Sequence, residues 1–154
     1  GVRVVNLFDV GSNSNWDHHG DITQHANLAR KVDQPIAGLI KDLQQRGLLD
    51  DTLIVGCSEF GRTPWEDADP KGRGHYNRNF TCFLAGGGVK GGTSHGVSDE
   101  YGATAAENPV HTHDFHATIL HLMGLDHTQL TYRYSGRDFR LTDIHGNVVH
   151  QIFA

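Results

Sequence analysis

The apolar positions fall into short blocks separated by long polar stretches. Val2-Arg3-Val4-Val5-Asn6-Leu7-Phe8 is β-branched and bounded by Asp9 and Gly11, which predicts a strand. From about Asn27 to Arg46 the apolar residues are Leu28, Val32, Ile36, Leu39, Ile40 and Leu43, a helical, amphipathic spacing. Gly47 is a natural C-cap, and Pro35 predicts a kink or the start of a second helix. Thr52 to Cys57 and Phe80 to Ala85 are continuous apolar runs, as in strands buried on both faces of a parallel sheet. His113 to Met123 reads as a short helix ended by Gly124. The tail, Tyr132 to Phe153, predicts one or two edge strands turning at His145-Gly146-Asn147.

The order strand, helix, strand, strand, helix, tail predicts an open α/β sheet with helices on its faces. In such sheets ligands bind beyond the carboxyl ends of the strands. The polar loops Gly11 to Gly20, Ser58 to Asn79 and Gly86 to Gly102 then fall at one edge, and they hold most of the candidate ligands.

Composition sharpens this picture. The chain has 154 residues, 12 histidines and 19 glycines, and a formal net charge of -5. There is no block of Lys or Arg, which argues against nucleic-acid binding. No apolar run is long enough to predict a membrane span. Abundant histidine in glycine-rich loops leans toward a metal site. The two cysteines, Cys57 and Cys82, lie in apolar runs and read as buried free thiols, able to pair only if their strands are neighbours.

Four segments carry candidate chemistry. Asp17-His18-His19 puts a carboxylate and imidazoles on one loop, able to wrap a cation, although loop histidines are often merely solvated. Glu59 follows an apolar strand and suits a metal ligand or base, or else a partner for Arg62. His75 sits after Gly72-Arg73-Gly74, where glycines admit close backbone approach; the alternative is an ordinary surface histidine. His111, His113, His116 and His121 cluster near a helix start, with one of His111 and His113 able to reach the site and His121 structural. The run Gly86-Gly87-Gly88-Val89-Lys90-Gly91-Gly92 lacks the full phosphate-loop pattern and reads as a turn.

Together these segments resemble the domain-of-unknown-function 1501 family. The resemblance rests on Asp17-His18-His19-Gly20, the run Gly47 to Val55, Ser58-Glu59-Phe60-Gly61-Arg62-Thr63-Pro64, Gly74-His75, Leu84 to Gly92, and Asp114 to Leu120. The tail from Tyr132 to His150 is similar to the carboxy-terminal end of planctomycete-type members. The family resembles a branch of the alkaline phosphatase and sulfatase superfamily. That implies a partial α/β/α sandwich with a mostly parallel sheet and a carboxy-terminal β extension, residues 1–154 forming the carboxy-terminal portion of one such domain. It further implies a metal-dependent hydrolase of phosphate or sulfate esters, small-molecule or polysaccharide, with the nucleophile in an amino-terminal half not contained here. By the same resemblance Asp17, His19, Glu59 and His75 are the ligands of a divalent metal (Zn, Mn or Ca). Arg62 or Arg73 would clamp a phosphate or sulfate oxygen, and the location is periplasmic or exported. Phe60 stands where the family's superfamily pattern has a second ligand. That departure favours an alternative, a relative that binds a metal or anion without turnover; a third reading is a purely structural or partner-binding domain whose histidines are merely solvated.

Overall fold

A computed structural model describes residues 1–9, 15–67 and 71–154. Residues 10–14, in the polar loop expected after Phe8, and 68–70, in the loop expected after Cys57, lie outside the described residues.

The amphipathic stretch forms one helix, α1 (His25–Gln45), entered through a short 3-10 turn, Ile22–Gln24, that Asp21 caps from its side chain. Pro35 lies within α1 without ending it. At the far end Gly47 adopts a φ of 66°. The Leu48 amide then returns to the Leu43 carbonyl at 2.8 Å, closing the last turn as a glycine-terminated helix does. No residue of α1 is buried, and Ile36 and Leu39 on its apolar stripe are exposed.

The strands that follow are short and nested. β1 (Ile54–Gly56) pairs antiparallel with β4 (Phe83–Ala85), setting Val55 opposite Leu84. Between them, β2 (Gly61–Arg62) pairs antiparallel with β3 (His75–Tyr76), setting Arg62 opposite His75. A second hairpin joins β5 (Val97–Ser98) to β6 (Ala105–Glu107). A third joins β7 (Thr131–Tyr134) to β8 (Arg137–Arg140).

This corrects the expected α/β/α sandwich with a mostly parallel sheet. The described residues hold two α-helices and four separate two-stranded antiparallel sheets. The physical reason lies in the connections. A parallel pair needs a crossover, usually a helix. The chain between β1 and β4 instead doubles back through β2 and β3, so the two apolar runs meet antiparallel. A continuous apolar run does not fix strand direction, and neither strand is buried on both faces as expected: β1 is half-buried and Phe83 of β4 is exposed. Val2 to Phe8 forms no strand, and Val2, Val4, Val5, Leu7 and Phe8 are all exposed; a strand needs a neighbour for its ladder, and none lies beside it among the described residues. The tail does carry a β hairpin. It turns at Ser135-Gly136, both at positive φ as a tight two-residue hairpin requires, and not at residues 145–147.

Residues 145–147 instead dock on α2 (Thr112–Leu122), where the most enclosed packing lies. Ala117, Thr118, His127 and Thr142 are buried there, and His127 Nδ1 meets Thr142 Oγ1 at 2.7 Å. The Thr118 hydroxyl donates to the Asp114 carbonyl at 2.6 Å and accepts from the Val149 amide at 3.0 Å, tying the tail to the helix. Thr118→Val keeps the shape and leaves the Val149 amide without that acceptor. It should lower unfolding stability by about 1–3 kcal/mol, read from urea denaturation; an unchanged midpoint would show that the link holds nothing. Elsewhere packing is open. The accessible surface is 11308 Å², against about 7,700 Å² for a compact monomer of this mass.

Candidate metal centre

The nested hairpin assembles the site. Because Arg62 and His75 are cross-strand partners, their side chains leave the same face of the β2–β3 ribbon. A second segment lies alongside it. The Ile22 amide donates to the Lys71 carbonyl at 2.9 Å, and Asp21 and Lys71 form an isolated parallel bridge. The Arg73 amide reaches the His18 carbonyl at 3.4 Å. Gly72, buried between them, lets the two backbones touch: a Cβ there would overlap the His19 carbonyl. Residues 17–22 are thereby laid against residues 71–73, and Asp17 and His19 come to His75 across more than fifty residues of sequence.

Three ligand atoms converge. His75 Nε2 lies 2.8 Å from Asp17 Oδ1, His19 Nε2 lies 3.2 Å from the same oxygen, and the two Nε2 atoms are 3.2 Å apart. Donor atoms held about 2.0–2.1 Å from a tetrahedral metal stand roughly 3.3 Å from one another. The triangle is therefore the size of one face of a tetrahedral coordination shell. Asp17, His19 and His75 are the group able to hold a metal ion among the described residues. Their side chains are 48%, 49% and 47% exposed, so the outer side of the triangle is open to solvent.

The surroundings orient these ligands. His19 Nδ1 lies 2.9 Å from Asp67 Oδ2. With a cation on Nε2, a carboxylate there would hold the ring proton on Nδ1, as carboxylates behind metal-binding histidines commonly do. Arg62 Nη2 donates to Asp17 Oδ1 at 2.8 Å and to the Trp16 carbonyl at 3.2 Å, and Nη1 donates to the Arg73 carbonyl at 3.3 Å. The Phe60 ring packs on His75, with centroids 4.3 Å apart. The hydrogen bond from His75 lowers the Asp17 carboxyl most, and Arg62 adds to it, bringing the group from 3.8 to about 2. A depressed carboxyl stabilises the folded chain above the unfolded value, so these contacts are complete above about pH 4 and are lost as pH falls toward 2. The exposure of the pair keeps that contribution under about 1 kcal/mol.

Of the residues singled out from sequence, Asp17, His19 and His75 are thus brought together. Glu59 is exposed and stands outside the group. Arg62 braces Asp17 and two backbone carbonyls, and Arg73 Nη1 donates to the Gly72 carbonyl at 2.8 Å. His18 packs edge-on against His25. His111 caps α2, accepting from the His113 amide, and stacks on the His113 ring; Asp114 completes the capping box and accepts from the Asn147 amide at 2.6 Å. His111, Asp114, His145 and Asn147 line a separate pocket of about 200 Å³. Asp67 was not foreseen. A carboxylate that acts through another ligand has no spacing signature of its own. Its presence in the loop before Gly72-Arg73-Gly74-His75 is the only sequence hint. Asp67→Asn replaces an acceptor with an amide and frees His19 to take the wrong tautomer. Metal affinity should fall about 10–100-fold in competition with a chromogenic chelator, and an unchanged affinity would remove Asp67 from the site.

Two exposed imidazoles and a carboxylate around one point, backed by a second carboxylate, are the donor set of a candidate metal centre. The chain belongs to the family described as "Protein of unknown function (DUF1501)", which it matches over residues 1–153. No curated protein and no solved structure matches it.

Proposed function

We propose that this chain supplies a single-metal centre to a hydrolase of phosphate or sulfate esters. The observation that carries the reading is the triangle of Asp17 Oδ1, His19 Nε2 and His75 Nε2 with its open outer side. Three protein ligands and a free position are the arrangement of catalytic rather than structural zinc sites. Two nitrogens in a set of three favour Zn or Mn over Ca, which prefers an all-oxygen shell. A metal held there would polarise an ester oxygen and stabilise developing negative charge. The chain's own residues set the geometry: Asp67 fixes the His19 tautomer, Arg62 holds Asp17, and the β2–β3 pairing presents His75. Placement of the family in the alkaline phosphatase and sulfatase superfamily, a planctomycete-type origin, a small-molecule or polysaccharide ester as substrate, and an exported location belong to the same proposal. They rest on the motif resemblance and not on the sheet.

One observation favours a second reading. Phe60 covers His75 at the position where a further ligand would stand, which suits a relative that binds a metal or anion without turnover. Turnover of an aryl phosphate and an aryl sulfate by the metal-loaded full-length protein separates the two. Hydrolysis of either, lost on chelation, supports the first. Inertness toward both with the metal bound supports the second.

A further inference from the structure

The β1–β4 ladder ends with Gly56 opposite Phe83, and its register continued by one residue would set Cys57 opposite Cys82, which neighbour each other closely enough for Cys57 to raise the Cys82 thiol. Both are free thiols; Cys57 is exposed and Cys82 half-buried, unlike the buried pair the apolar runs suggested. The Phe83 ring lies over Gly56. Successive side chains alternate across a strand, so the two cysteines share the opposite face, away from that ring. Opposed Cα atoms in an antiparallel pair stand about 4.5–5.5 Å apart, within the roughly 4.4–6.8 Å that a disulfide spans.

We propose that Cys57 and Cys82 form a reversible disulfide that closes the base of the nested hairpin. The loop between them carries Arg62, Asp67, Gly72 and His75, so the bond would join the two strands from which the metal-site hairpin grows. The co-reactant is a small-molecule disulfide of the oxidised-glutathione class. Cys57, the more exposed thiol, attacks one sulfur of that disulfide as its thiolate, forming a mixed disulfide and expelling one thiolate. Cys82 then gives up its proton and attacks the Cys57 sulfur. The protein S–S bond forms, the mixed disulfide breaks and the second small thiolate leaves. Two protein thiols are oxidised, one small disulfide is reduced to two thiols, and the two protons pass to the leaving thiolates. Burial, with Cys57 alongside, pushes the Cys82 thiol up, which fits its role as the second, slower sulfur.

The test equilibrates the chelator-treated chain with reduced and oxidised glutathione, traps free thiols with iodoacetamide and weighs the products. Any two cysteines in one chain pair to some extent, so the native chain is compared with the same chain in urea. The expected result is a monomer lighter by two hydrogens and inert to iodoacetamide. Its formation constant should be at least about tenfold larger in the native chain than in urea, because folding holds the sulfurs together. Cys57→Ser and Cys82→Ser should each abolish that species and leave circular dichroism unchanged. A constant no larger in the native chain than in urea would overturn the proposal. So would a product confined to glutathione on Cys57 with Cys82 still alkylated, or one confined to intermolecular dimers.

Discussion

His75→Ala should strip the chain of its metal, while Glu59→Ala should leave it loaded. His75 supplies one corner of the donor triangle, and its Nε2 is the closer of the two imidazole nitrogens to Asp17 Oδ1, at 2.8 Å against 3.2 Å. With alanine there, two donors remain, and both are exposed to competing water. The loss should exceed the 10–100-fold that removal of an outer partner causes. Elemental analysis after chelation and reloading with Zn or Mn reads this directly. Glu59 follows Ser58 at the turn before β2 and is not among the converging ligands. Equal metal loss in both variants would restore Glu59 to the ligand set and count against the observed geometry. Full loading of His75→Ala would sink the centre altogether.

Gly72→Ala should weaken the same centre without touching a ligand. The added methyl would overlap the His19 carbonyl and stand 3.2 Å from the Gly20 amide nitrogen. Both obstacles are backbone, so the two segments must separate. Separation breaks the bridge from the Arg73 amide to the His18 carbonyl and strains the one from Ile22 to Lys71. Overpacking of this kind costs about 1–3 kcal/mol. The proposed centre brings its donors together only in the closed arrangement, so that cost should appear in metal affinity as roughly a tenfold loss per 1.4 kcal/mol. Calorimetric titration of zinc into both proteins measures it, with circular dichroism confirming that the helices persist. Unaltered affinity would mean that residues 17–22 need no contact with residues 71–73 to bring His19 to His75.

The helices were legible because their signals are local. The spacing from Leu28 to Leu43 and the glycine at 47 give α1 and its end, and Pro35 is accommodated on an exposed stretch of that helix. Asp114 marks the first turn of α2. The strands were legible only as apolar blocks, since partner and direction depend on how distant segments return. Thr52 to Cys57 and Phe80 to Ala85 look alike whether they run parallel or antiparallel. For the candidate site, the motif resemblance singled out Asp17, His19 and His75, which the fold brings together, and also Glu59, which it leaves outside. The parts that position them do not stand out. Arg62 reads as an anion clamp until the β2–β3 register places it opposite His75 and on Asp17. Asp67 is one acidic residue among several until His19 turns toward it.

The docking of residues 17–22 on residues 71–73 has a thermodynamic consequence. The contact that assembles the donors is a few backbone hydrogen bonds at an open surface, so in the absence of metal it is among the first to give way. A cation held by the proposed centre would act as a removable cross-link, closing a loop that runs from residue 17 to residue 75 and passes through α1. Its effect follows mass action: at a hundredfold excess over its dissociation constant it adds about 2.7 kcal/mol to the docked state. If the proposed centre binds its cation, the stability of this region would follow the free metal concentration as well as the sequence. Protease resistance of the chain near Lys71 would report that concentration.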